Sequence, residues 1–217
     1  MNSAQAAIDQ MVSQQVRTWE VLDARTLEAM RRVPRAAFVA PPWRSIACSE
    51  SALPLPCGKH MLTPMLVGRI LQALGVRTGE QVLEIGTGSG YLSACLVALG
   101  GRVQSLELHA EIAAFARSNL QSAGLGEVEV TTADGAALFS ETAYDAIVLT
   151  GSLPIYDARF ERALKYGGRL FAIVGSGPVM EARLVRRLGA SEAIQQVLFE
   201  TSVEALENVP APPLFHF

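Results

Sequence analysis

Cysteine is scarce in this chain and odd in number. Cys48, Cys57 and Cys95 are three residues in 217, with no Cys-x-x-Cys pair among them. A disulfide framework needs an even, closely patterned set and a zinc site needs paired ligands, so both are excluded, and a reducing, cytoplasmic setting is expected. The three histidines, His60, His109 and His216, lack metal-ligand spacing as well, and no metal is expected. No apolar run approaches the roughly 20 residues of a membrane span. The polar N-terminus carries Asp9 and shows no secretory pattern. Neither sign of charge dominates: 18 Lys and Arg stand against 21 Asp and Glu, and the basic residues are scattered. Arg31-Arg32 and Arg186-Arg187 read as solvated edges, so neither nucleic acid nor a membrane surface is an expected partner. Repeats and low-complexity linkers are missing too, which leaves one domain over 1–217.

What the chain has is apolar residue in quantity, 50% of the total, and this is enough for a substantial core. The first forty residues read as helical, Ala4 to Val16 and Ala24 to Val33, with Pro34 closing the second helix. Residues 41 to 64 are richer in Pro, Ser and Cys and read as loop lying over the main sheet. Thr63-Pro64 has the form of an N-cap followed by proline at the first helical position, opening a helix to about Leu74.

From Gln81 onward, short apolar runs alternate with amphipathic stretches, the pattern of a parallel α/β sheet. Strands are expected at 81–85, 103–107, 128–131, 145–149 and 168–174, and helices at 91–99, 110–123 and about 157–165. Met180 to Leu188 and Ile194 to Thr201 read as two further strands around a turn at Gly189-Ala190. A short turn makes them antiparallel, so the sheet is expected to end mixed.

The most telling stretch is Val82-Leu83-Glu84-Ile85-Gly86-Thr87-Gly88-Ser89-Gly90-Tyr91. A strand runs into three glycines spaced one apart, and a helix follows at once. The spacing selects the ligand. A dinucleotide fingerprint places its third glycine three positions after the second, where this chain has Tyr91. A P-loop ends in Gly-Lys-Ser or Gly-Lys-Thr, and no such triplet occurs. Glu84 would repel a pyrophosphate, whereas it is suited to a cationic or amino-bearing ligand. Glu-x-Gly-x-Gly-x-Gly resembles motif I of S-adenosylmethionine-dependent methyltransferases, whose cofactor carries both an amino group and a sulfonium.

Ligands of open α/β sheets bind at the carboxyl ends of the strands. Four ends carry suitable groups. Glu84, Gly86, Thr87, Gly88 and Gly90 make up the glycine turn. Glu107, with Leu108 beside it, closes the next strand about twenty residues on, where a carboxylate accepts from ribose hydroxyls. Asp134-Gly135 follows the third strand: the acid suits an adenine amino group, and the glycine lets a ring lie on the backbone. Thr150 ends the fourth strand facing the ligand, while Asp145 at its start reads as structural.

Several segments together resemble one family, the protein-L-isoaspartate O-methyltransferases. They are Met11 to Arg17, Ala29 to Val39, Leu53-Pro54-Leu55-Pro56, Val82 to Tyr91, Tyr144 to Thr150 and Gly167 to Leu170, covering roughly residues 8 to 175. The resemblance implies methyl esterification, from S-adenosyl-L-methionine, of the abnormal carboxylate of isoaspartyl residues in damaged proteins. A carboxylate acceptor is already ionised at neutral pH and needs no general base. The implied fold is a doubly wound, mostly parallel seven-stranded Rossmann-like methyltransferase sheet. An antiparallel C-terminal hairpin and an N-terminal helical cap are expected, with residues 1–62 as cap and active-site loop and 63–217 as core.

The family's loop reads Gly-Gln-Thr-Ile-Ser-x-Pro, and this chain has Gly58-Lys59-His60-Met61-Leu62-Thr63-Pro64. The family's serine position falls on Leu62 and its threonine position on His60. Thr63 and His60 are therefore the candidate catalytic groups, Thr63 being equally a helix N-cap and His60 equally a plain loop residue. Two other readings use the same residues: a methyltransferase with a different acceptor, its pocket reshaped by Lys59, His60 and Leu62, or a cofactor-binding protein without turnover. The segment from Phe199-Glu200-Thr201 onward does not resemble the usual family ending.

Overall fold

A computed structural model of the protein describes residues 3–137 and 143–212. Its centre is a seven-stranded sheet in the order β3-β2-β1-β4-β5-β6-β7. The strands are β1 (Gln81–Ile85), β2 (Arg102–Glu107), β3 (Glu129–Thr132), β4 (Tyr144–Leu153), β5 (Leu164–Val174), β6 (Met180–Arg187) and β7 (Ala193–Thr201). The first five pair in parallel, while β6 and β7 are added antiparallel, as the short turn at Gly189-Ala190 requires. The order reverses between β1 and β4. That places the carboxyl ends of β1, β2 and β4 around one crevice.

The helices are α1 (Ser3–Gln10), α2 (Ala24–Arg32), α3 (Pro64–Leu74), α4 (Tyr91–Ala98), α5 (Ala110–Ser122) and a single turn, α6 (Arg159–Arg162). Capping follows the sequence signals. Asp23 accepts from the Thr26 amide at 2.9 Å to start α2, and Thr63 accepts from the Leu66 amide at 3.4 Å to start α3. Side chains of β4 alternate between two cores: Ala146 and Val148 pack under the N-terminal helices, α3 and α4, whereas Ile147 and Leu149 join Leu83, Ile85 and Phe160 on the opposite face. The cap is thus continuous with the core, through Met11, Val12, Val16 and Met30, all fully buried.

Three expectations need correction. The helix read over 4–16 is α1 followed by a wider π-type segment, Met11–Val16, in which the Arg17 amide donates to Val12 O. The wide turn re-aims the buried face at α3, where Val16 packs so closely over Gly68 that a Cβ there would lie 2.6 Å from its methyl. The helix expected at 157–165 shrinks to one turn, because Asp157 captures Arg159 and Leu164 already pairs with Tyr144 in the sheet. Finally, β4 runs on to Leu153 because the C-terminal segment pairs with it: Ser152 bridges Ala205. Asp145 is structural, as expected, accepting from the Gln81 amide and from Lys165, each at 2.8 Å.

Candidate active site

A cavity of about 860 Å³ opens at the carboxyl ends of β1, β2 and β4. Gly86, Gly88, Glu107, Leu108, Asp134, Gly135 and Thr150 line it, and so do His60 and Thr63. Nine of the twelve residues expected at the site thus meet in one place.

The glycine turn is a left-handed bend, with φ of +91° at Gly86, +55° at Gly88 and +83° at Gly90. At Gly86 the requirement is doubled, since a Cβ would also collide with the Thr150 hydroxyl. Thr150 spends its proton on the turn, with its Oγ1 2.7 Å from Gly86 O and 3.0 Å from Ile85 O, so its hydroxyl braces the bend. The Glu107 carboxylate is 6% exposed and accepts from the amides of Gly88 (3.0 Å) and His109 (3.1 Å). Two main-chain donors therefore hold this acid at the end of β2 with unused acceptor capacity for a diol.

Glu84, Thr87 and Gly90 lie outside the main cavity. Glu84 is fully buried beneath the turn, where one carboxylate oxygen accepts from Ser93 and from Ser105, the latter at 2.7 Å. Burial pushes its pKa up to about 7, against the opposing pull of the two serine hydroxyls. Thr87 joins the same network through Ser105 at 2.6 Å. Glu84 and Thr87 border only a recess of about 60 Å³. Glu84, expected to meet the amino group, thus lies under the turn, with its second carboxylate oxygen buried and unpartnered beside this recess. Gly90 serves packing, because Leu120 of α5 sits 3.1 Å from where its Cβ would be. Gly135 lines the cavity yet is also pressed against Ile85, and Asp134 accepts from the Ala136 amide at 2.8 Å and from Asn208 at 3.0 Å.

Across the cavity stands the loop before α3. Thr63 caps the helix and faces the cavity at once. His60 Nδ1 lies 2.7 Å from Glu204, and Lys59 Nζ lies 2.7 Å from Glu207, which also meets His109 Nε2 at 2.8 Å. The Glu207 contact raises the Lys59 pKa and lowers that of Glu207 itself. Sequence reading had not placed Glu204 and Glu207. Nor had it singled out Arg35, whose guanidinium is fully buried and donates to Leu62 O (2.7 Å) and Ala47 O (3.0 Å), tying down the loop. The signal available was slight: Arg35 is followed by the apolar run Ala36 to Ala40, but Arg31 and Arg32 stand just before it.

A parallel sheet reversed at β1 and β4, a left-handed glycine turn after β1 and a carboxylate closing β2 define a methyltransferase of the S-adenosylmethionine-dependent class. The family model for protein-L-isoaspartate(D-aspartate) O-methyltransferase matches residues 5–206, and the chain belongs to that family. A protein-L-isoaspartate O-methyltransferase of Methanoculleus marisnigri is 38% identical over 188 residues, 86% of either chain. One from Pelobacter propionicus is 39% identical over 184 residues, 84% of this chain and 82% of its own. In fold, the chain is similar to a protein-L-isoaspartate O-methyltransferase from Plasmodium falciparum solved with S-adenosyl-L-homocysteine, at a TM-score of 0.78 and 15% identity, covering 95% of this chain and 99% of that one. Identity of this order over most of the chain makes the altered Gly58–Pro64 loop a local departure within an ordinary member.

Proposed function

We propose that this protein transfers the methyl group of S-adenosyl-L-methionine to the carboxylate of isoaspartyl residues in damaged proteins. The reading is carried by the family match across residues 5–206, which takes in both the cofactor-side residues and the acceptor loop on one cavity. The donor set fits the cofactor: Glu107 is held with free lone pairs toward a ribose, Asp134 stands at the third strand end toward an adenine, and the Gly86–Gly88 backbone lies open between them. S-adenosyl-L-methionine, when bound, supplies a methyl group on a sulfonium that is already a good leaving group.

The chain's own residues supply alignment and dryness. A carboxylate acceptor has its lone pair available at neutral pH, so orientation and exclusion of water dominate the rate. Arg35 fixes the Leu62 carbonyl, Thr63 fixes the start of α3, and the segment Ser202–Glu207 covers the cavity from the C-terminal side. Lys59 brings positive charge to the acceptor side, and His60 an imidazole able to hydrogen-bond there. Three unpaired cysteines suit a cytoplasmic setting. Among the described residues no helix is long and apolar enough to cross a membrane. Neither nucleic acid nor membrane enters this reading.

The test is incubation with methyl-labelled S-adenosyl-L-methionine and matched peptides containing aspartate or isoaspartate. Base-labile label on the isoaspartyl peptide alone is the expected result. Label on neither peptide, in protein shown to bind the cofactor, rejects the isoaspartyl acceptor.

A further inference from the structure

The segment from Ser202 to Asn208 is a strap laid across the cavity mouth. Its path is set by main chain: the Ser152 amide donates to Glu204 O and the Leu206 amide donates to Ser152 O, each at 2.9 Å. The Glu204 side chain is thereby delivered to the acceptor loop, with Oε1 2.7 Å from His60 Nδ1 and Oε2 3.9 Å from Lys59 Nζ. We propose that Glu204 competes with the acceptor: its carboxylate occupies the seat at His60, beside Lys59, that an acceptor carboxylate must take, and so weakens acceptor binding. The proposal rests on the isoaspartyl reading given above.

The charge pattern of the cavity carries the argument. Glu50, Glu107, Asp134 and Glu200 also line it, and each repels an incoming anion. Of its basic side chains, Arg69 is engaged by Glu20 (3.0 Å) and by Trp19 O (2.9 Å), and His109 stands beside Glu107, held by Glu207. Lys59 and His60 are what remains on the acceptor side, and the strap has already filled them, Glu207 holding Lys59 at 2.7 Å and Glu204 holding His60 at 2.7 Å. A carboxylate acceptor displaces Glu204 by exchanging one carboxylate contact for a like one. A neutral group offers no such exchange and leaves Glu204 in place. The strap thereby weakens the binding of carboxylate acceptors in particular, by holding the seat that they need.

The experiment uses the full-length protein saturated with S-adenosyl-L-homocysteine and titrated calorimetrically with two hexapeptides. One carries isoaspartate, the other isoasparagine, in which the acceptor carboxylate is an amide. Glu204→Gln keeps the main-chain anchor and removes the competing charge. Exposed pairs of this kind contribute little each, so the isoaspartyl peptide is expected to bind about two- to fivefold more tightly to the variant. The isoasparaginyl peptide is expected to bind both proteins alike. In a His60→Phe background, Glu204→Gln is expected to change neither affinity, whereas a general easing of repulsion would persist there. Unchanged or weaker isoaspartyl binding to Glu204→Gln, with wild type binding normally, overturns the proposal and leaves the isoaspartyl reading standing. If neither protein binds the isoaspartyl peptide, the reading falls and the proposal falls with it.

Discussion

The guanidinium of Arg35 lies 4.9 Å from the centre of the Tyr91 ring, and both side chains are buried. Tyr91 is the first residue of α4, immediately after the glycine turn, while Arg35 also donates to Leu62 O in the acceptor loop. One cation therefore couples the start of α4, after the glycine turn, to the loop before α3 across the cavity. Phe38 completes the cluster edge-on to Tyr91 at 5.8 Å.

Arg35→Lys keeps the charge but cannot serve Leu62 O, Ala47 O and the ring together. At least one buried carbonyl then loses its donor, and a cost of about 2–3 kcal/mol in unfolding free energy is expected. Urea denaturation measures it. Limited proteolysis is expected to show faster cleavage between Lys59 and Thr63. A variant as stable and as resistant as wild type means that the coupling is incidental.

Glu107 has two duties, orienting the Gly88 and His109 amides and presenting oxygens to the cavity. Glu107→Ala removes both. Calorimetric titration with S-adenosyl-L-homocysteine is expected to show Kd rising at least about tenfold, since a hydrogen bond to a charged group is worth roughly 1.5–3 kcal/mol. Unchanged binding would take the ribose role away from this residue.

The turn, Glu107 and the positions of the strands were legible in the sequence because each is a local event. Val82–Tyr91 encodes its strand, its bend and its helix within ten consecutive residues. Burial was not legible in the same way. Glu84 looked like a ligand contact because the sequence puts it two residues before Gly86, yet strand alternation and the register Glu84↔Ser105 turn it under the sheet toward Ser93. The strap was invisible for a different reason. Glu204 is 144 residues from His60 and Glu207 is 98 from His109, and only the completed fold brings them together. The same holds for Arg35, whose three partners come from three separate segments.

Buried Glu84 should make stability depend on pH with a definite sign. Its folded pKa of about 7 stands above the ordinary 4.5, raised by burial. Between those values the unfolded chain has released the proton while the folded one holds it, so this group's contribution is complete below pH 4.5 and is lost as pH rises through about 7. The loss is on the order of a few kcal/mol. Glu84→Gln cannot ionise and escapes it. Denaturation midpoints at pH 5 and pH 8 are expected to show the variant gaining on wild type at the higher pH. Parallel profiles would mean that Glu84 is already ionised in the folded protein.

The opposite slope is expected at the far end of the sheet. Arg169 donates bidentately to Glu80, at 3.0 Å and 2.6 Å, and also to Leu74 O and Asp145 O, clamping β5 to the end of α3 and to the β1 approach. Burial alone would raise the Glu80 pKa, but the hydrogen bonds from Arg169 and from the Arg77 amide prevail and hold it below 4.5. Stability from this pair is therefore present above pH 4.5 and lost as pH falls through the depressed value. Glu80→Gln removes the charge but keeps a hydrogen-bonding group. It is expected to lose about 2–4 kcal/mol at pH 7, because the buried guanidinium is left without its counter-charge, and to approach wild type at acid pH. The clamp sits at the amino end of β1, away from the glycine turn, so S-adenosyl-L-homocysteine affinity at pH 7 is expected to hold within about twofold for the folded variant. A matching loss of cofactor affinity would show that strain at this clamp travels along β1 to Gly86, and the stability of the sheet could then not be separated from the site it carries.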